Sequence, residues 1–133
     1  MNAKVLIGGI LGGVVLFLLG WLLFGVIFAD SMTSMPCMRT HETLNIPMIA
    51  IGNILTGLLL AHIYSRWANI TTLGGGALAA FIIGLLMYGG MDFLMYGTTT
   101  MYADLKSVLM DIITTSVMLA IAGGVVGWWM GRK

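Results

Sequence analysis

Long apolar runs separated by short polar breaks dominate this chain. A helix needs about 20 apolar residues to cross the hydrocarbon core of a bilayer. Four stretches meet that length, at about residues 5–28, 47–64, 73–96 and 108–130. The first, Val5 to Phe28, contains no ionisable residue. It is about twice as long as a signal-peptide apolar region and lacks a small-residue cleavage site, so a retained helix is expected. Pro47 suits the first turn of the second helix, where its missing N–H would have no partner anyway. Connections are short except for an outer loop over residues 29–45. The pattern predicts an all-α, four-helix transmembrane bundle of up-down topology, two hairpins forming one integral membrane domain over residues 1–133.

Composition agrees with that picture and excludes several functions. Apolar residues make up 59% of the chain and charged ones 8%, with a mean hydropathy of +1.03. A soluble domain carries about a quarter charged residues. The net charge of +1 supplies no basic face for a nucleic acid. A single cysteine, Cys37, provides neither an intrachain disulfide nor a paired redox centre. Of two histidines only His62 falls in a predicted helix, so a haem held between intramembrane histidines has no ligand pair. GxSxG, HExxH and P-loop motifs are absent. A non-enzymatic protein without a resident cofactor is the expectation.

The Lys/Arg asymmetry orients the helices. With the N-terminus inside, Lys4, Arg66, Arg132 and Lys133 lie on the cytoplasmic side, while Arg39 and Lys106 lie outside. All acids (Asp30, Glu42, Asp92, Asp104 and Asp111) then fall toward the outer side. Tyr64, Trp67, Trp128 and Trp129 would form an inner aromatic belt, and Tyr96 and Tyr102 an outer one. Both termini are expected in the cytoplasm.

Glycine recurs at helical spacing. Gly8/Gly12 and Gly9/Gly13 in the first helix, Gly76/Ala80/Gly84 in the third and Gly123/Gly127/Gly131 in the fourth are small-xxx-small stripes. Ala120/Gly124 runs beside the last of these. Such stripes let helix backbones approach closely in lipid. They either hold the four helices together or turn outward toward another copy or another membrane protein. At an offset of 64, Gly12, Gly20 and Gly25 align with Gly76, Gly84 and Gly89. That match hints at two hairpins related by approximate two-fold symmetry.

Two intramembrane acids carry the chemistry. Asp92 falls near the outer end of the third helix and Asp111 near the start of the fourth, at similar depth. An acid at the bilayer centre costs about 2.5–3.5 kcal/mol, so such groups are paired, protonated or hydrated. Two close carboxylates share a proton or recruit a cation. Tyr88 and Tyr96 flank Asp92 at i−4 and i+4, and Thr115 follows Asp111 at i+4. The candidate ion or proton site is therefore Asp92, Asp111, Tyr88 and Tyr96. The alternative is an interfacial acid paired with Lys106 or Arg39. The first helix lacks the central carboxylate that four-helix multidrug exporters use, and Asn53 and Thr56 are polar near the midplane. His62 with Arg66, one turn on, reads as a snorkelling interfacial pair.

The outer loop brings methionine together with softer ligands. Met32, Met35, Cys37, Met38 and His41 offer thioether, thiolate and imidazole, a set that favours Cu(I). Met91, Met95, Met101 and Met110 approach the same side. Met is also an ordinary filler of irregular apolar packing, and Cys37 alone suits an intermolecular disulfide.

The plan resembles a group of small bacterial four-helix membrane proteins classed only as domains of unknown function. The resemblance rests on Gly12 to Trp21, on Tyr88 to Met95 around Asp92, and on Asp111 with the Gly123–Trp129 end. It implies a bacterial inner-membrane location and no particular activity, and the Met/Cys/His loop falls outside it. From the inventory, the leading expectation is action through helix packing, as a homo-oligomer or an accessory subunit of a membrane complex. An ion, proton or small-solute carrier using the outer carboxylates comes second, and Cu(I) binding at the outer loop third.

Overall fold

A computed structural model describes residues 2–27, 39 and 42–133. Helix α1 spans Ala3–Leu22 and continues as a π-helical turn over Leu23–Ile27. Helix α2 spans Ile46–Ile63 and passes into a second π-helical turn, Tyr64–Ala68. Helices α3 and α4 span Leu73–Thr98 and Leu105–Met130. All four are long and apolar enough to cross a membrane. The molecule is therefore an up-down four-helix bundle suited to a multi-pass membrane protein.

Side-chain caps set the starts of these helices. The first backbone N–H groups of a helix have no internal acceptor, and Asn, Thr or Asp just before the first turn supplies one. Asn2 accepts from the Val5 N–H at 3.0 Å, Asn45 from Met48 at 3.3 Å, Thr72 from Gly75 at 3.1 Å and Asp104 from Ser107 at 2.9 Å. Asn69, in the left-handed conformation at φ 50, stops the α2 extension. Several boundaries differ from the sequence expectation: α1 starts at Ala3 rather than 5, and the helical path of α2 continues through its π-turn to Ala68 rather than ending at 64. Helix α3 runs to Thr98 rather than 96, and α4 starts at Leu105 rather than 108. Hydropathy marks where apolar character ends, but the helix continues until its polar groups are satisfied. Here the Thr98 and Thr99 hydroxyls donate to the carbonyls of Leu94 and Met95, at 2.8 and 2.7 Å.

Packing pairs α1 with α2 and α3 with α4, and α4 joins the two hairpins. One stripe of α4, through Val108, Ile112, Ser116, Leu119, Gly123 and Val126, is buried along nearly its whole length. This arrangement corrects the two-fold expectation. Helix α4 packs on α1, α2 and α3, whereas its would-be counterpart α2 packs chiefly on α1. The matching glycines therefore do not report equivalent environments.

Glycine seams run through both hairpins and between them. A Cβ on Gly13 would lie 2.6 Å from the Ile54 Cα, and Gly57 abuts the backbones of Gly9 and Gly13. Gly8 and Gly12 seat Trp129 and Val126, where a Cβ would come within 3.0 and 2.6 Å of the side chains. Between α3 and α4, a Cβ on Gly127 would be 3.0 Å from the Gly76 Cα, and one on Gly84 would be 2.9 Å from the Ser116 Cα. Ala80 rests its methyl on Gly123. Gly131, expected in the helical stripe, instead caps α4 and abuts the Thr71 backbone ahead of α3. Among the described residues these stripes thus face neighbouring helices of the same bundle.

Two tyrosines expected in aromatic belts are core residues. Tyr64 is fully buried and donates to the Gly76 carbonyl at 2.5 Å. Tyr102 is buried against Val108 and Ile112. Trp67, Trp128 and Tyr96 are exposed, as belt residues would be.

Candidate functional site

The α3–α4 hairpin places Asp92 and Asp111 at one depth. Asp92 lies six residues before the end of α3 and Asp111 six residues after the start of α4. At a rise of about 1.5 Å per residue, both sit about 9 Å in from their helix ends. The longer helices therefore place both carboxylates farther from their helix ends than the apolar runs alone imply.

Asp92 is 6% exposed, and its Oδ2 has no hydrogen-bond partner among the described residues. Asp111 and Tyr102 are the polar groups that bear on its carboxyl. The Tyr102 hydroxyl donates to Asp111 Oδ2 at 3.2 Å and also lies within reach of Asp92. One phenol from the connection between the helices thus bonds Asp111 and stands close to Asp92. Burial, together with the negative charges of Asp111 and Asp92, pushes the Tyr102 hydroxyl well above its ordinary pKa. It stays a neutral donor throughout the physiological range.

The next level of the bundle is also polar. Tyr88, one turn before Asp92 on α3, lies beside Thr56 of α2 and within the electrostatic reach of both acids. The Thr56 hydroxyl donates to the Gly52 carbonyl at 3.0 Å. Buried Ser116, on α4, donates to the Ile112 carbonyl at 2.7 Å.

Cationic neighbours are placed elsewhere. Lys106 acts on Asp104, and Arg39 donates to the Thr43 carbonyl at 3.2 Å. The interfacial ion pair considered from the sequence is thus not the arrangement adopted by the described residues. Tyr96, expected in the site, is 39% exposed and does not join it. Tyr102 takes the place assigned to it, because the tight α3–α4 connection folds back over the carboxylates. The signal for it was modest: a tyrosine close to both acids in a short connection. Donation to Asp111 comes from Tyr102, across that connection, rather than from Thr115 on the same helix.

The second candidate site lies outside the described residues, since Met32, Met35, Cys37, Met38 and His41 all do. Of the methionines expected beside it, Met95 and Met101 pack around Tyr102, while Met91 and Met110 are exposed on the bundle surface. Among the described residues, no three His, Cys, Asp or Glu side chains gather as metal ligands. His62 sets its ring edge against Trp67, at 5.4 Å between centroids.

No family model, curated protein or solved structure matches this chain. The functional reading therefore rests on the geometry of the cluster itself.

Proposed function

We propose that this is a non-enzymatic membrane protein that binds a proton or a small monovalent cation at Asp92, Asp111 and Tyr102 and carries it across the bilayer. The observation that supports this reading is the buried Asp92 carboxyl, with an unpartnered oxygen beside a second carboxylate. A buried carboxylate beside a second one favours a shared proton or a bound cation. An ionisable residue within a membrane span is rare and ordinarily marks an ion or proton path, and here Asp111 and a phenol are the neighbours of Asp92. Tyr88 and Thr56 extend the polar surface one turn deeper.

The same reading puts both termini in the cytoplasm of a bacterial inner membrane, supported by the positive bias of Lys4, Arg66, Arg132 and Lys133. The cluster then lies toward the outer face. Action through helix packing, as a homo-oligomer or accessory subunit, ranks behind this reading because the glycine stripes that suggested it are filled within the bundle.

Flux in proteoliposomes tests the proposal. A proton gradient, and separately a sodium or potassium gradient, is imposed and its decay followed. The wild type should dissipate one of these gradients, and Asp92→Asn and Asp111→Asn should abolish that flux while keeping the helical circular-dichroism signal. Flux that is absent in the wild type, or unchanged in both folded variants, overturns the reading.

A further inference from the structure

The end of the bundle opposite the carboxylates holds a second site, independent of the first. Helix α1 begins and α4 finishes there, and the two are tied together. The Trp129 indole N–H donates to the Lys4 carbonyl at 3.0 Å, and the Lys4 ammonium donates to the Arg132 carbonyl. The Arg132 guanidinium stacks on Trp128 and Trp129, at 4.9 and 5.7 Å from the ring centroids. Between them lies an open cavity of about 540 Å³ lined by Lys4, Ile7, Trp129, Arg132 and Lys133.

Three of those five lining residues are cationic. The acids among the described residues, Glu42, Asp92, Asp104 and Asp111, belong to the opposite end of the up-down bundle. The three cations therefore face the cavity without a described acidic side chain to offset them. Lys4 uses one donor on the Arg132 carbonyl and keeps two for a ligand, and the Arg132 fork suits paired oxygens. Indole stacking holds the guanidinium in place beforehand, which lowers the ordering cost of binding. From the cavity, exposed Ile7 leads along α1 to exposed Ile10 and Val14, at i+3 and i+7, an apolar track. A phosphate above an apolar track matches the shape of a phospholipid.

We propose that Lys4, Arg132 and Lys133, framed by Trp129, bind the phosphodiester headgroup of an anionic phospholipid, whose acyl chain lies along Ile7, Ile10 and Val14. The ligand chemistry is a phosphate, and a free phosphate ion is the other source of it. The apolar track favours the lipid.

Native mass spectrometry of the detergent-solubilised protein tests this with equimolar phosphatidylglycerol and phosphatidylcholine. The wild type should retain phosphatidylglycerol preferentially. Each of Lys4→Gln, Arg132→Gln and Lys133→Gln should weaken that preference by about fivefold, near the value of one basic residue at an anionic surface. Arg66→Gln, at the same end but outside the cavity lining, should leave it intact. Equal retention of the two lipids by the wild type overturns the proposal, as does an unchanged preference in the Lys4/Arg132/Lys133 triple variant. Inorganic phosphate distinguishes the sources. If millimolar phosphate forms a specific adduct and displaces the lipid, the lipid assignment is overturned in favour of the free ion. Displacement by neither phosphate nor phosphatidylcholine supports it.

Discussion

At the scale of single residues, several polar groups at helix ends and in the core have defined partners, Asp92 Oδ2 being the exception, and these partners make testable demands. The Ser107 backbone N–H, and then its hydroxyl, hold the Asp104 carboxyl below its ordinary pKa. A lowered folded value means that the cap stabilises fully above the unfolded pKa, about 4. The contribution fades as pH falls through the lower folded value. Amide protection factors in the first turn of α4, corrected for the intrinsic pH dependence of exchange, should accordingly fall on acidification, and Asp104→Asn, which still accepts the bond, should flatten that dependence. Tyr102 has the opposite sign. Its raised folded value means that its contribution is complete below about pH 10 and is lost as pH climbs through the folded value. Thermal unfolding in detergent should show an alkaline loss of stability that Tyr102→Phe reduces. Tyr64, buried with its hydroxyl on the Gly76 carbonyl, should cost about 1 kcal/mol as Tyr64→Phe, read from the same unfolding curves.

At the scale of elements, glycine has a different meaning at each position, and spacing alone did not separate them. Gly57 abuts the backbone of α1 at Gly9 and Gly13. Gly57→Ala should therefore force α1 and α2 apart and cost about 1–3 kcal/mol. Gly90, on α3, has nothing within 4 Å of where its Cβ would stand. Gly90→Ala should be neutral or stabilising by about 0.5–1 kcal/mol, through the lower entropy of the unfolded chain and better helix propensity. Unfolding midpoints of the two variants, measured side by side, decide between the roles. Helix extent was legible to within a few residues, because apolar length and capping residues are local properties. The exact depth of Asp92 and Asp111 was less so. It depends on where the α3 threonines and Asp104 satisfy the helix ends, and hydropathy does not record that.

At the scale of the molecule, α4 is the element through which the two hairpins meet. Glycine seams on both sides of it are internal, so a bulky residue there should act on folding rather than on assembly. Gly123→Ile, which would drive a side chain into Ala80 and the Tyr64 hydroxyl, should lower the yield of folded protein without changing its subunit number in native mass spectrometry. A folded variant with fewer subunits than the wild type would restore an assembly role for the stripe.

The membrane-spanning class, the number of helices, their hairpin order and the two carboxylates were determined by the sequence itself. Each follows from apolar run length, short connections or residue identity, which need no knowledge of distant contacts. The direction in which each stripe turns, the asymmetry of the hairpins and the exchange of Tyr96 for Tyr102 at the carboxylates were decided by the tertiary structure. So was the clasp of Lys4 with Trp129 and Arg132, which lie more than a hundred residues further along the chain. In an apolar chain nearly every helix face is hydrophobic, so periodicity does not say which face is inside. Close backbone approach and the pairing of the few polar atoms make that choice, and both arise only when the helices meet.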